Sequence, residues 1–131
     1  MTIQRIHHVQ ITIPSDAVDQ ARQFYLQQLG LTEIAKPASL QHRGGFWMQL
    51  GDMQIHVGIE DTIDRYQYKG HIAYQVNDLE VWRSKIRSYD LEILESIAIE
   101  GYERFEFRDP FGNRIEIIQT LSEIDDDQSS K

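Results

Sequence analysis

The sequence predicts an α+β fold built from two paired βαβββ modules, and three observations carry that reading. Two segments that alternate apolar and polar residues, around 5–13 and 71–76, each open a half of the chain. Each is followed by a stretch of helical periodicity. Each half then closes on a pair of strands joined by a tight turn, through Gly51-Asp52 in the first and Asp109-Pro110-Phe111-Gly112-Asn113 in the second.

The elements follow in order. In residues 5–13, His7, Val9, Ile11 and Ile13 form one face and Ile6, His8, Gln10 and Thr12 the other. Pro14 ends the strand, and Ser15 or Asp16 is placed to cap a helix. Ala17, Ala21, Phe24, Tyr25 and Leu29 recur at helical spacing, which assigns Phe24 and Tyr25 to the core, and Gly30 suits the position just beyond the helix end. Leu31–Ile34 reads as a short strand, and the polar, Pro37-containing stretch 36–43 as a loop. Gly45–Leu50 and Met53–Ile59 read as a hairpin. In the second half, Ile72, Tyr74 and Val76 oppose His71, Ala73 and Gln75. Asn77 or Asp78 caps a helix whose Leu79, Trp82, Ile86 and Tyr89 share a face. Glu92–Glu95 mirrors the short strand. Glu103–Arg108 and Arg114–Gln119 form a hairpin whose loop has Pro first and Gly third, suiting a type I turn closed by a glycine bulge. The expected organisation is a first module at 1–60, a charged connector at 61–69, a second module at 70–120 and a frayed acidic tail at 121–131. A βαβββ half cannot cover its own sheet, so the two must pair.

Composition narrows the function classes. The chain has 131 residues, 40% of them apolar, enough for one core. A formal charge of −8 argues against nucleic acid and anionic membranes as partners. The absence of cysteine removes disulfides, thiolate catalysis and Cys-ligated zinc. No signal-peptide pattern or long apolar run is read in the sequence, so the expected location is cytoplasmic.

Four ligand-type residues recur at equivalent points of the repeat. His8 and His71 lie in the opening strands, 63 residues apart, and His56 and Glu116 in the closing strands, 60 apart. Strand phase puts all four opposite the apolar faces. With helices covering those faces, the modules form a curved mixed sheet whose concave cleft binds metal through His8, His56, His71 and Glu116. Imidazole suits zinc, nickel, iron or cobalt, and the carboxylate adds tolerance for manganese. His7 is on the apolar side and His42 in a loop, so both read as ordinary side chains. Hairpin pairing sets Trp47 opposite His56, Glu106 opposite Glu116, and Arg104 diagonally near Glu116. Trp47 is therefore a candidate to stack on a substrate, with packing as its alternative. Arg104 and Arg43 are candidates to hold a carboxylate or phosphate.

His8 in HHVQITI, ARQFYLQQLGL, GDMQIHVG, GHIAYQVNDLE and RDPFGNRIEII together make the chain resemble the vicinal oxygen chelate superfamily over about residues 5–119. That superfamily includes glyoxalase I, methylmalonyl-CoA epimerase, extradiol dioxygenases and the fosfomycin and bleomycin resistance proteins. The resemblance implies a divalent metal in the cleft and a small-molecule substrate that chelates it through neighbouring oxygens. His8, His71 and Glu116 match shared ligand positions. His56 departs from the glyoxalase pattern, where a Glu or Gln stands. It is either a fourth ligand or, as in extradiol dioxygenases, an acid–base group beside the metal; an imidazole's intrinsic pKa near neutrality suits either role. Catalytic roles are thus expected of His56 and Glu116. The implied activity is a glyoxalase-like lyase or isomerase, with an extradiol-type dioxygenase or a metal-free binding protein of the bleomycin-resistance kind as alternatives. A homodimer is expected, because the superfamily often exchanges modules between chains.

Overall fold

The computed structural model describes residues 1–121, so all of the acidic tail except Leu121 lies outside the described residues. The chain divides into two compact units, Met1–Ile63 and a second beginning at Asp64. Each carries a four-stranded mixed sheet.

In the first unit, β1 (His8–Ile13), β2 (Thr32–Ile34), β3 (Phe46–Leu50) and β4 (Met53–Ile59) are ordered β1-β4-β3-β2. β1 runs parallel to β4, with Gln10 beside His56, while the other pairs are antiparallel. Ile13, Ala21, Phe24, Tyr25, Phe46, Met48, Ile55 and Val57 are buried. The alternation read from the sequence therefore puts one face of β3 and β4 in the core and leaves the face of Trp47 and His56 for other use.

Three local expectations are corrected here. The first helix is α-helical only over α1 (Val18–Arg22) and continues as a π-helix over Gln23–Gln28, its Leu29 N–H donating to the Phe24 carbonyl at 2.8 Å. The wider turn lets two consecutive aromatic side chains, Phe24 and Tyr25, both reach the core, with their rings edge to face at 5.0 Å. Neither Ser15 nor Asp16 caps this helix. Instead Ala17 N–H closes a turn onto Pro14 O, and the Ser15 N–H donates to Asp61. The 36–43 stretch, read as a loop, contains a 3₁₀ segment at Ala38–Arg43 that starts behind Pro37, where the missing proline N–H costs nothing.

In the second unit, β5 (His71–Gln75), β6 (Leu94–Glu95), β7 (Tyr102–Arg108) and β8 (Arg114–Thr120) repeat the pattern as β5-β8-β7-β6. α2 (Leu79–Ser88) is capped by Asp78, which accepts from Val81 N–H, and buries Leu79 and Ile86. Phe105, Phe107, Ile115 and Ile117 complete that core. The β7–β8 turn is locked by Asp109, only 1% exposed. Its carboxylate accepts from the N–H groups of Phe111 and Asn113 and from the Asn113 amide. Gly112 takes φ +105°, and a Cβ there would stand 2.8 Å from the Tyr66 ring, so only glycine fits. Among the described residues, no helix is long and apolar enough to cross a membrane.

Candidate metal centre

The second module brings two of the four expected ligands together. His71 leaves β5 at its first residue and Glu116 sits mid-way along β8, on the adjacent parallel strand. His71 Nε2 lies 2.9 Å from Glu116 Oε1. The other ring nitrogen, Nδ1, is 3.0 Å from the Lys69 carbonyl, which can only accept, so Nδ1 carries the hydrogen. Nε2 then faces the carboxylate with its lone pair unless a proton or a cation stands between them. A backbone carbonyl holding one imidazole nitrogen while the other is left to coordinate is the usual support of a metal-binding histidine. A 2.9 Å separation is also what two donors need when each sits about 2.0–2.2 Å from one ion at roughly a right angle. The donor set fits a divalent cation.

Glu106 completes this cluster, and the sequence reading assigned it no role. It is paired directly with Glu116 across the hairpin. Ligand atoms of His71, Glu106 and Glu116 all lie within 4.8 Å of one another. The predicted register already placed Glu106 opposite Glu116. What it could not supply was the burial of both carboxylates, 6% and 5% exposed.

Two buried carboxylates side by side repel unless cations attend them. Arg114 pairs with Glu106 through Nε and an amino nitrogen. Arg104 spans both, 3.5 Å from Glu106 Oε2 and 3.4 Å from Glu116 Oε2, and donates to the Ile97 carbonyl at 2.7 Å. The guanidinium expected to hold a substrate anion is thus largely engaged by protein. Its Nε is a buried donor without a partner among the described residues.

The first module brings His8, His56 and Trp47 together as a stack. The His56 ring lies flat on Trp47 at 3.7 Å and 3°, and on His8 at 4.1 Å and 15°. Trp47 therefore offers one face to His56, a protein contact where a substrate contact was considered. His56 Nε2 is 2.9 Å from Gln54 Oε1; as an acceptor, that oxygen places the hydrogen on Nε2 and leaves Nδ1 with the lone pair. Burial, followed by the neighbouring His8, His7 and Lys36, pushes the His56 pKa down to about 4. The fold thus moves His56 away from its intrinsic value near neutrality, and His56 is a neutral imidazole at pH 7, the form that coordinates metal. His7, exposed, has its Nδ1 3.1 Å from that of His8. His42 lies exposed in the 3₁₀ segment. Arg43 and Trp47 line a cavity of about 400 Å³ in this module, together with His8 and His56.

Comparison with known proteins identifies the family. The family model for the Glyoxalase/Bleomycin resistance protein/Dioxygenase superfamily matches residues 5–117. A glyoxalase family protein from Bacillus anthracis is similar in structure, with 34% identity, a TM-score of 0.82, and coverage of 92% of this chain and 98% of that one. Glyoxylase I 4 of Arabidopsis thaliana is 26% identical over 122 residues, 86% of this chain and 68% of that protein. The fosfomycin resistance protein FosX of Listeria monocytogenes, in a structure complexed with Mn(II) and sulfate, shares the fold at 16% identity and TM-score 0.72, over 98% of this chain and 99% of that one. With two βαβββ modules, the repeat of ligand-type residues and a family match across most of its length, the chain belongs to the Glyoxalase/Bleomycin resistance protein/Dioxygenase superfamily.

Proposed function

We propose that this protein is a metal-dependent enzyme of the glyoxalase-like branch, a lyase or isomerase acting on a small molecule that presents two neighbouring oxygens. The observation that carries this reading is the His71–Glu116 pair, two donor atoms 2.9 Å apart with the imidazole held through its other nitrogen. In the second module His71 and Glu116 would hold a divalent cation with Glu106 beside them, and His8 and His56 are the ligand-type residues that the first module would offer. When bound, the cation supplies Lewis-acid polarisation of a substrate oxygen. Glu116 and His56 are the groups placed to take part in proton transfer. Glu116 is held by Arg104, and His56, neutral at pH 7, would use its Nδ1 lone pair either as a ligand or to accept a proton. Arg104 orients the carboxylates, while Trp47 and Arg43 border the first-module cavity. The chain works as a homodimer.

One observation favours a second reading, a metal-free binding protein. Arg104 and Arg114 already neutralise Glu106 and Glu116 by protein alone. Elemental analysis of protein purified without chelator and without a nickel column separates the two. The enzymatic reading expects a divalent ion in stoichiometric amount, released by chelator and regained on adding metal. Metal-free protein that gains nothing from zinc, manganese, nickel, iron or cobalt would overturn it.

A further inference from the structure

We infer that the first-module cavity is a preformed subsite for the carboxylate or phosphate of a small, flat organic anion, held by Lys36 and Arg43. The cavity has about 400 Å³, within the range of small-molecule sites. Its wall divides by chemistry. Lys36, Arg43 and Gln10 supply donors, whereas Leu40 and Ile59, with the Trp47 ring, supply apolar surface. Among the described residues no acidic side chain lines it, in a chain whose formal charge is −8. Two cations lining one cavity of an acidic protein set a local field that selects an anion.

The two cations are differently held. Lys36 donates through Nζ to the Gly44 carbonyl, which ties it to the base of the 3₁₀ segment and leaves two ammonium hydrogens for a ligand. Arg43 is exposed and makes no ion pair among the described residues, whereas Arg104 is bound up with two glutamates. The wall that carries Arg43 is fitted to β4 by Gly45. Its φ is +77°, and a Cβ there would lie 2.0 Å from the Val57 carbonyl oxygen. No other residue brings the segment this close. The cavity is therefore built by backbone geometry.

Calling the bound anion a substrate rests on the enzymatic reading above; the subsite stands on first-module residues alone. The test uses the full chain in a Trp82→Phe background, so that Trp47 is the sole tryptophan reporter. Phenyl phosphate and benzoate are titrated, with benzamide and benzylamine as neutral and cationic counterparts of the same shape. Inorganic phosphate tests whether charge suffices without the ring. The expected result is a saturable fluorescence change with the two aromatic anions and none with the amide or the amine at equal concentration. Arg43→Met should weaken binding at least tenfold, in line with loss of a charge-assisted hydrogen bond, without changing the melting temperature. Lys36→Met should do the same. A response to benzamide equal to that to benzoate, or unchanged affinity in Arg43→Met, would overturn the inference. Each titration is repeated with chelator and in His71→Ala. Anion binding that survives both supports the subsite even if no metal is ever found, while binding lost with the metal would assign the anion to the cation and refute the subsite. Inorganic phosphate binding as tightly as phenyl phosphate would remove the flat body from the proposal.

Discussion

At the residue scale, the proposed chemistry turns on two histidines whose hydrogen-bonded nitrogens differ. His71 is tied through Nδ1 and offers Nε2, and His56 is tied through Nε2 and offers Nδ1. His71→Ala should lower metal occupancy more than the 10–100-fold typical of losing a supporting contact, as read by elemental analysis after dialysis. His56→Ala should lower it comparably if His56 is a ligand. Full occupancy in His56→Ala beside empty His71→Ala would make His56 an acid–base group instead, with turnover down by about 10²–10⁴-fold. The lowered pKa of His56 also has a stability consequence. In the unfolded chain this imidazole takes its proton near 6.5, in the folded chain only near 4. Between those values the unfolded state binds more protons, so stability falls as pH drops from about 6.5 toward 4 and is unaffected by this group above that window. Melting curves of chelator-treated protein should show the fall, and His56→Gln should lessen it. Parallel profiles for the two proteins would show that His56 is not its source.

At the element scale, the β7–β8 turn sets the register that places Glu106 opposite Glu116. Asp109 organises it with three accepted hydrogen bonds from a nearly sealed position. Asp109→Ala should destabilise the protein by about 2–4 kcal/mol in urea denaturation, since several buried donors lose their acceptor together. Asp109→Asn, which retains one acceptor oxygen, should cost less. Gly112→Ala should cost about 1–3 kcal/mol through its positive φ and the contact with Tyr66. Near-wild-type midpoints for all three would mean that the strands themselves hold the register.

At the scale of the whole molecule, a homodimer is the expected state. The opening strands β1 and β5 lie at sheet edges, and His8, Gln10, His71, Ala73 and Gln75 on their polar faces are exposed. An obligate interface would bury more than about 1,200 Å² in total. Light scattering at micromolar concentration should give twice the 15.4 kDa chain mass. A chain mass of one would refute the dimer.

The sequence by itself determined the repeat, the strand phases and the hairpin registers, because a period of two and a short turn leave a strand pair few alternatives. That is why Trp47 beside His56 and Glu106 beside Glu116 are legible in the chain alone. Only the tertiary structure decided what those neighbours do. The π-helical turn answers to the burial of two adjacent rings, a packing demand that helical periodicity cannot express. The grouping of Glu106 with His71 and Glu116 brings residues 35 and 45 positions from His71 together. The tying of Arg104 by two carboxylates, and the shift of His56 away from neutrality, likewise depend on burial. Burial and charge are sums over neighbours distant in the chain, and strand alternation reports only which side a residue faces.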